Sequence, residues 1–352
     1  MSTSPSEDPI RIGVNGFGRI GRSVFRASLD HPGVEIVAIN DIMNADDMRY
    51  LFAYDSVMGR TPGVRLEGDE MVVNGNRTLL LSERDPEQLP WDDLDVDVAL
   101  ECTGIFRTYE EAQRHVDAGA DRAIISAPPK GDRDVLQIVY GVNHDEYDDQ
   151  SVVSNASCTT NSVAPVAKVL DDAFGIQKGL LTTVHAYTST QELVDGPSGK
   201  RRRGRAAAEN IIPTTTGAAV ATTEVLPQLE GKLDGMAMRV PVPNGSITDL
   251  TLTLEADVGR DAVNSAIREA ATGDLAGVLG ITDEAIVSRD IIGLPYSSMV
   301  DLESTMGLGD GFVKVLAWYD NEFGFSNRLL DLSEYVITGQ SDPTRRESLA
   351  AI

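Results

Sequence analysis

The stretch Ile12-Gly13-Val14-Asn15-Gly16-Phe17-Gly18-Arg19-Ile20-Gly21 decides the fold of the N-terminal half of this chain. Its last three glycines fit the pattern G-x-G-x-x-G, which is informative when it joins a strand to a helix. Residues 10–14 are mainly apolar, as a short buried strand is, and Ile20, Val24 and Ala27 recur at helical spacing. The glycines permit a tight turn and let the backbone approach a pyrophosphate, which then lies on the helix N-terminus. The stretch therefore predicts a dinucleotide-binding unit of the Rossmann type.

An acidic residue follows the second strand of this unit. His31-Pro32-Gly33 ends the helix, Val34–Asn40 is the second strand, and Asp41 stands 20 residues after Gly21. A carboxylate in this place can accept hydrogen bonds from both hydroxyls of an adenosine ribose, and it would repel a 2′-phosphate. Asp41 therefore favours NAD as the cofactor, and Ile42 beside it leaves the use of NADP open.

The rest of the N-terminal half also alternates strand and helix. The turn Asn74-Gly75 indicates a hairpin over residues 71–81. Further strands at 96–100, 123–126 and 152–153 each lead into small or polar residues. We expect an α/β fold with a doubly wound sheet, whose ligand lies at the carboxyl ends of the strands.

A cysteine opens the second part of the chain. The segment Ser154-Asn155-Ala156-Ser157-Cys158-Thr159-Thr160-Asn161 surrounds Cys158 with small polar residues, and the residues after it are typical of a first helical turn. A thiol at a helix N-terminus feels the positive end of the helix dipole, which lowers its pKa and favours the nucleophilic thiolate. The alternative is that Cys158 is a small buried apolar residue.

Longer strands are expected after Cys158. The predicted strands span 180–185, 235–242, 248–256 and 313–319, and the predicted helices span 161–174, 258–271 and 326–336. This grouping indicates an α+β catalytic domain with a mixed sheet. We expect an NAD-binding Rossmann domain over residues 1–157, completed by a C-terminal helix over 323–352, and a catalytic domain over 158–322.

The composition is strongly acidic. The chain has 352 residues, enough for two domains, and 55 acidic against 30 basic residues give a formal net charge of −25. Nucleic acid is therefore not an expected partner. The charge is compatible with an ordinary solvated surface, but we favour adaptation to high salt, where screening suppresses self-repulsion.

Cysteine content and hydropathy suggest a cytoplasmic protein. No run of 18 apolar residues is present, so no membrane span is expected. Residues 1–9 are rich in Ser, Pro and acidic residues, lack the pattern of a signal peptide and read as a disordered tail. Two cysteines cannot form a disulfide framework, and a free thiol stays reduced in the cytoplasm. No metal site is predicted.

A basic cluster interrupts this acidic chain. Residues 188–210 show no clear periodicity and contain Lys200-Arg201-Arg202-Arg203-Gly204-Arg205. A loop of this length in a compact domain is usually functional or interfacial. Its cations could bind phosphate or pair with acidic groups across a subunit contact.

Six motifs resemble those of phosphorylating glyceraldehyde-3-phosphate dehydrogenase, and the resemblance covers the chain from about Ile10 to Val336. In chain order they are Asn15–Gly21, Ser154–Asn161, Thr182–Thr188, Ile211–Ala219, Met238–Pro243 and Trp318–Glu322. The resemblance implies a homotetramer that oxidises glyceraldehyde 3-phosphate with NAD and inorganic phosphate. The product would be 1,3-bisphosphoglycerate, a step of glycolysis that runs in reverse in gluconeogenesis.

The resemblance also implies roles for individual residues. Cys158 would be the nucleophile and His185 its activator, with an imidazolium that lowers the pKa of the thiol further. The implied cofactor contacts are Gly16, Phe17, Gly18, Arg19, Ile20, Gly21, Asp41, Arg84, Ser126 and Asn321. Thr188 and Arg239 would hold the phosphate of the substrate. The attacking phosphate would meet Ser157, Thr159, Arg203, Thr216 and Gly217.

Two positions depart from the family pattern. Cys102 stands where relatives commonly have serine, and we expect it to be a packing residue. The loop from Val194 to Lys200 is more similar to the eukaryotic form of the family than to the common bacillar form. This weakens any inference about NAD or NADP from that loop.

Other functions remain open at this point. The same thiol, histidine and cofactor would serve an erythrose-4-phosphate dehydrogenase or a form that prefers NADP. A thiol acyltransferase or hydrolase without redox chemistry would lack a need for the nucleotide-binding unit. A binding protein that keeps the fold for another role, for example on RNA, would not need the paired cysteine and histidine.

Overall fold

The computed structural model describes residues 9–344, which divide into two compact units. Residues 9–138, 144–156 and 326–344 belong to the first unit, and residues 139–143 and 157–325 belong to the second. Most of the predicted N-terminal tail, residues 1–8, and the last part of the predicted C-terminal helix, residues 345–352, lie outside the described residues. None of the helices within 9–344 has both the length and the apolar character that crossing a membrane requires.

The first unit is built on an eight-stranded sheet with the order β10-β9-β8-β1-β2-β7-β6-β5. Its strands are β1 (Ile10–Asn15), β2 (Val34–Asn40), β5 (Arg65–Glu67), β6 (Glu70–Val73), β7 (Asn76–Leu81), β8 (Val98–Glu101), β9 (Arg122–Ile125) and β10 (Val152–Ser154), while β3 (Tyr54–Asp55) and β4 (Gly59–Arg60) form a separate small ribbon. Its helices are α1 (Arg19–Ser28), α2 (Ala45–Ala53) and α3 (Tyr109–Asp117). Neighbouring strands in the series β10-β9-β8-β1-β2-β7 pair in parallel. Strands β7, β6 and β5 pair antiparallel.

Local chemistry explains several of these boundaries. The hairpin between β6 and β7 turns at Asn74 and Gly75, whose φ angles of 52° and 93° are the positive values that a two-residue turn requires. Thr108 begins α3 with a reciprocal capping box to Glu111. Trp91 is fully buried in an apolar cluster that includes Ala38 of β2 and Ala99 of β8. The predicted doubly wound α/β unit is therefore confirmed.

The second unit contains a seven-stranded mixed sheet with the order β12-β13-β11-β14-β17-β16-β15. Its strands are β11 (Ile176–Ala186), β12 (Ile212–Thr215), β13 (Leu233–Val240), β14 (Ser246–Leu254), β15 (Leu279–Thr282), β16 (Ser298–Gly307) and β17 (Phe312–Tyr319), and its helices are α4 (Cys158–Phe174), α5 (Ala218–Val225) and α6 (Arg260–Thr272). Parallel pairing joins β11 to β13 and β15 to β16, and the other pairs are antiparallel. The predicted mixed sheet is confirmed.

One face of this sheet is covered by α4, which contacts β14, β16 and β17. Strand β14 shows why: every second residue from Ser246 to Leu254 is buried, and the residues between them are only partly buried. The side chains of β14 that face α4 therefore alternate with those that face away.

The last helix, α7 (Phe323–Thr338), contains the predicted helix over 326–336 but is shorter than the span of 323–352 expected to complete the first domain. Gly339 adopts a φ of 71° and its N–H donates to Tyr335 O, which terminates the helix. Residues 339–344 contain no α-helix, so the prediction extended this helix too far.

Candidate active site

Cys158 is the first residue of α4 and is partly exposed. Ser157 caps the helix, because its Oγ accepts a hydrogen bond from Thr160 N at 3.0 Å. Ala156 has a φ of 53°, the left-handed region that residues with a Cβ rarely adopt. This turn takes the chain from β10 into α4 and leaves the thiol at the helix N-terminus.

His185 is carried to the thiol by β11. On this strand Leu181, Thr183 and His185 are buried on the face that α4 covers, as strand alternation requires. His185 is 4% exposed, and its Nε2 lies 3.5 Å from Cys158 Sγ. A thiol within reach of a buried imidazole is the arrangement of an activated nucleophile.

Arg239 reaches the opposite nitrogen of the same ring. The parallel register of β11 and β13 places Arg239 beside His185. Its Nη1 is 2.9 Å from His185 Nδ1 and donates to Ala186 O at 2.8 Å. His185 Nδ1 is also 2.7 Å from Ala186 O. Arg239 Nη1 can donate its hydrogen bond to the Ala186 carbonyl oxygen, so it does not need Nδ1 as an acceptor. Nδ1 can therefore keep its proton, and the lone pair of Nε2 faces the Cys158 thiol.

Tyr319 ties the helix to the strand. Its hydroxyl bonds Thr159 Oγ1 at 3.0 Å and Thr183 Oγ1 at 2.8 Å, and its ring meets His185 edge to face. Burial raises the pKa of the Tyr319 phenol. The sequence motif Trp318–Glu322 contains Tyr319, but no role was predicted for it. The available signal was its place at the end of β17.

Asn321 is held at the same end of the sheet. Ser246 Oγ accepts a hydrogen bond from Ala186 N at 3.1 Å and donates to Asn321 Oδ1 at 2.7 Å. The neighbouring Asp320 accepts from Asn244 Nδ2 at 2.8 Å, and burial raises the pKa of its carboxyl. The amide of Asn321 is therefore anchored to the strand that carries the histidine.

The protonation states differ from the expected thiolate and imidazolium. Burial raises the pKa of the Cys158 thiol, although the Arg239 charge and hydrogen bonding by Thr159 oppose this. Burial also lowers the pKa of His185 to about 3, and the Arg239 charge adds to the effect. The predicted depression of the thiol pKa is wrong for this site, because burial of the sulfur outweighs the Arg239 charge and the local hydrogen bonds.

Arg203 brings a second cation to this region. It lies in a short 3-10 turn, Arg201–Gly204, and its Nε donates to Thr214 Oγ1 at 3.0 Å. Its charge contributes to the lowered pKa of both His185 and Arg239. Two guanidinium groups thus act on one imidazole, which suits a site for anions.

The other residues assigned to phosphate occupy local turns and helix starts. Thr188 follows β11, and its Oγ1 bonds Thr190 Oγ1 at 2.9 Å. Thr216 Oγ1 accepts from Ala218 N at 3.1 Å, and Gly217 precedes the first residue of α5. These two hydroxyls form hydrogen bonds within the turns that carry them.

The glycine loop of the first unit has two structural glycines and one open glycine. A Cβ on Gly16, whose φ is 98°, would lie 2.6 Å from Thr103 N, and a Cβ on Gly21 would lie 2.0 Å from Gly16 O. A Cβ on Gly18 would meet no heavy atom within 4 Å. Gly18 immediately precedes α1, so this space lies at a helix N-terminus, where a pyrophosphate fits.

Asp41 is oriented by the backbone around the glycine loop. Its Oδ2 accepts from Phe17 N at 2.6 Å and its Oδ1 accepts from Met43 N at 2.9 Å. Phe17 is buried against Phe25 and Phe52, which fixes the donor. Each carboxylate oxygen keeps further acceptor capacity for a ribose hydroxyl.

A cavity of about 430 Å³ opens beside Asp41. Four of the predicted cofactor residues line it, namely Gly16, Gly18, Asp41 and Arg84. The residues that the sequence did not assign to the cofactor are Asn15, Asn40, Ile42, Glu83, Cys102, Thr103, Ile105 and Phe106. Several of them could have been predicted from the sequence, because they lie at or just after the carboxyl ends of neighbouring strands.

Three further residues assigned to the cofactor lie at the start of α1 and directly after β9. Arg19 Nη1 donates to Asp55 Oδ2 at 2.7 Å, and Ile20 is the next residue in the first turn of α1. Ser126 directly follows β9, and its N–H donates to Glu101 O at 3.0 Å.

Burial and the neighbouring Glu101 raise the pKa of the Cys102 thiol to about 12, so Cys102 is a poor nucleophile.

Comparisons with known proteins agree with this geometry. The family model described as "Glyceraldehyde 3-phosphate dehydrogenase, NAD binding domain" matches residues 10–109, and the one described as "Glyceraldehyde 3-phosphate dehydrogenase, C-terminal domain" matches residues 157–321.

Three relatives named glyceraldehyde-3-phosphate dehydrogenase match almost the whole chain. The protein of Haloarcula vallismortis is 63% identical over 331 residues, which cover 94% of this chain and 98% of the relative. That of Streptomyces coelicolor is 54% identical and that of Geobacillus stearothermophilus 51% identical, each covering 93% of this chain and 98% of the relative. The chain therefore belongs to the glyceraldehyde-3-phosphate dehydrogenase family, with an N-terminal domain that binds NAD.

Proposed function

We propose that this protein oxidises D-glyceraldehyde 3-phosphate with NAD and inorganic phosphate to 1,3-bisphosphoglycerate. The observation that carries the proposal is the 3.5 Å contact between Cys158 Sγ and His185 Nε2. The names of the relatives favour this substrate over erythrose 4-phosphate. In the cell the reaction serves glycolysis and, in reverse, gluconeogenesis.

Proton transfer within the Cys158–His185 pair starts the reaction. His185 is neutral at working pH, because its pKa is lowered to about 3. Its Nε2 takes the thiol proton as the sulfur attacks the aldehyde carbon, and it gives this proton to the former carbonyl oxygen. The result is a hemithioacetal on Cys158, and His185 is neutral again.

The second half of the reaction makes and breaks a thioester. Bound NAD supplies the hydride acceptor. His185 Nε2 removes the hydroxyl proton while the hydride leaves the carbon, which becomes a thioester carbonyl on Cys158. Inorganic phosphate then attacks this carbon and the sulfur leaves as thiolate. The thiolate recovers its proton from His185, and the acyl phosphate departs.

Arginine chemistry provides the two anion sites. The guanidinium of Arg239, with Thr188, receives the phosphate group of the substrate, since a guanidinium fork matches phosphate oxygens. Arg203, with Ser157, Thr159, Thr216 and Gly217, receives the attacking phosphate.

The cofactor is assigned to the glycine loop and Asp41. The open space at Gly18 and the cavity of about 430 Å³ support this assignment. Arg19, Ile20, Gly21, Phe17, Arg84 and Ser126 complete the contacts in residues 1–157. Asn321 would hold the carboxamide of the nicotinamide and so orient the ring. The C-terminal helix completes this domain, and residues 158–322 carry the catalytic groups.

We also propose a homotetramer in the cytoplasm of a salt-adapted cell. Leu180, Met236 and Phe312 are 65%, 37% and 41% exposed on the catalytic sheet, which supports burial against further copies of the chain. The net charge of −25 supports adaptation to salt. The reaction needs a reduced Cys158, which the cytoplasm provides.

Absorbance of the reduced nicotinamide tests the reaction. We expect reduction of NAD with glyceraldehyde 3-phosphate in high salt, dependent on phosphate and faster than with NADP or with erythrose 4-phosphate. Reduction that does not need phosphate would indicate hydrolysis of the thioester instead. No reduction at any salt concentration would refute the assignment, and full activity in low salt would refute salt adaptation.

A further inference from the structure

Glu101 is a buried carboxyl group at the carboxyl end of β8, and the reaction does not use it. Its side chain is 1% exposed. Oε2 accepts from Asn15 Nδ2 at 2.6 Å and is 3.2 Å from His115 Nε2. Oε1 accepts from Thr103 N at 2.8 Å and from the Thr103 hydroxyl. Four donors therefore converge on one side chain.

The backbone sets the direction of the first arm of this network. Glu83 N–H donates to Asn40 Oδ1 at 2.7 Å, and Asn40 Nδ2 donates to Glu83 O at 2.8 Å. Asn40 must then offer Nδ2 to Asn15 Oδ1, at 2.8 Å, which leaves Asn15 Nδ2 for Glu101. An N–H and a carbonyl cannot exchange roles, so neither amide can flip without losing hydrogen bonds.

A tryptophan sets the direction of the second arm. Trp91 Nε1, which can only donate, lies 3.1 Å from His115 Nδ1. His115 Nδ1 is thereby an acceptor, and its Nε2 carries the proton that points to Glu101. Trp91 and His115 are both fully buried, so no water can replace either partner.

The network crosses the carboxyl ends of neighbouring strands under the cofactor cavity. Asn15 ends β1, Asn40 ends β2, Glu101 ends β8, and Glu83 follows β7, and these strands are adjacent in the order β8-β1-β2-β7. Asn15, Asn40, Glu83 and Thr103 line the cavity, whereas Glu101 lies beneath them.

We propose that Glu101 is a positioning residue for the cofactor. It acts through Asn15, Asn40 and Thr103, whose orientations it fixes by accepting hydrogen bonds that run in one direction only. This inference rests on the proposed assignment of the cavity to NAD. A glutamine in its place would present its NH₂ group either to Asn15 and His115 or to the Thr103 N–H. In both orientations two hydrogen-bond donors would face each other.

Isosteric variants test the direction of the chain of hydrogen bonds. Glu101→Gln should weaken NAD binding on the order of tenfold, because buried hydrogen bonds are replaced by opposed donors. Asn15→Asp should also weaken it, because a second carboxylate would face Glu101. In the double variant the introduced amide can donate to the introduced carboxylate, which still accepts from Asn40, so only the His115 Nε2–H remains opposed to a donor. The double variant should therefore bind NAD more tightly than either single variant.

Calorimetric titration with NAD gives the dissociation constants, and Glu110→Gln on the exposed side of α3 is the matched control with no expected change. KM for NAD should follow the dissociation constant while kcat stays within about twofold, because the reacting groups are untouched. Losses that simply add in the double variant would overturn the proposal. If a single variant does not fold, recovery of folded, NAD-binding protein in the double variant supports the proposal, and failure to recover refutes it. Absence of NAD binding by the wild-type protein would instead refute the cofactor assignment.

Discussion

Arg239 places its positive charge on the side of the His185 ring that faces away from Cys158. The guanidinium Nη1 is 2.9 Å from His185 Nδ1, and the thiol is 3.5 Å from Nε2. A cation beside Nδ1 opposes the gain of a positive charge by the ring, and burial acts in the same direction. The histidine is thereby kept as a neutral base while the arginine stays available to an anion.

Replacement of Arg239 by alanine should raise the pKa of His185, because the cation that lowers it is removed. NMR titration of labelled histidines, with assignment by the His185→Asn variant, measures this directly. Arg239→Lys keeps the positive charge and should leave the His185 pKa low. It lacks the planar guanidinium that binds two phosphate oxygens at once. Both variants should raise KM for glyceraldehyde 3-phosphate. An unchanged His185 pKa in Arg239→Ala would contradict this account.

Replacement of His185 by asparagine should lower kcat by about 10²–10⁴-fold, because the proton acceptor at Cys158 is lost. Stopped-flow measurement of nicotinamide reduction checks this, with NAD binding as a control that should not change. A rate close to that of the wild-type protein would exclude His185 as the base.

The same variant should change the dependence of stability on pH. The pKa of His185 is about 3 when folded, whereas an unfolded histidine titrates near 6.5. Between these values the unfolded state binds one more proton, so stability falls as pH decreases from about 6.5 towards 3. His185→Asn should remove a slope of up to about 1.4 kcal/mol per pH unit in denaturant unfolding at fixed protein concentration. Identical slopes in the two proteins would show that His185 is not buried as a neutral ring.

Cys158→Ser should abolish measurable turnover and leave NAD binding intact, because a serine hydroxyl stays protonated near neutral pH. Cys102→Ser is the matched control at saturating NAD, since Cys102 lines the cofactor cavity and its thiol, with a pKa raised to about 12, is not expected to react. Turnover and alkylation with iodoacetamide report both thiols. Loss of turnover in Cys102→Ser with full activity in Cys158→Ser would reverse the assignment.

Gly16→Ala and Gly18→Ala should separate folding from cofactor binding. A Cβ on Gly16 would be 2.6 Å from Thr103 N at a φ of 98°, so this variant should lower the melting temperature without any ligand. A Cβ on Gly18 meets no heavy atom within 4 Å, so this variant should melt like the wild-type protein yet bind NAD weakly. Equal NAD affinity in Gly18→Ala and the wild type would place the pyrophosphate elsewhere.

Local patterns were sufficient for much of the fold. The strand predicted over 34–40 matches β2, and Asn74-Gly75 forms the predicted hairpin turn. Helices α2 and α5 were not predicted. Helix α5 contains β-branched residues and no side-chain cap, so its formation depends on packing against α4 and β13. The parallel pairing of β11 with β13 was also invisible, because register is set by contacts between distant segments.

The candidate site shows the same division. The family resemblance of the motifs around Cys158 and His185 implied the pair, and the structure brings the two atoms together. Tyr319 and Glu101 have partners far away in the sequence, so no local spacing could reveal them. The direction of the Cys158 pKa was wrong because the extent of burial around a residue is a property of the packed fold.

The hydroxyl of Tyr319 joins Thr159 in the first turn of α4 to Thr183 on β11. The element that carries the nucleophile and the element that carries the base are thus fastened to each other one residue from Cys158 and two from His185. Their alignment is established when the chain folds and does not have to be found again in each catalytic cycle. The activation entropy of the first chemical step should therefore contain little contribution from the search of sulfur and imidazole for one another.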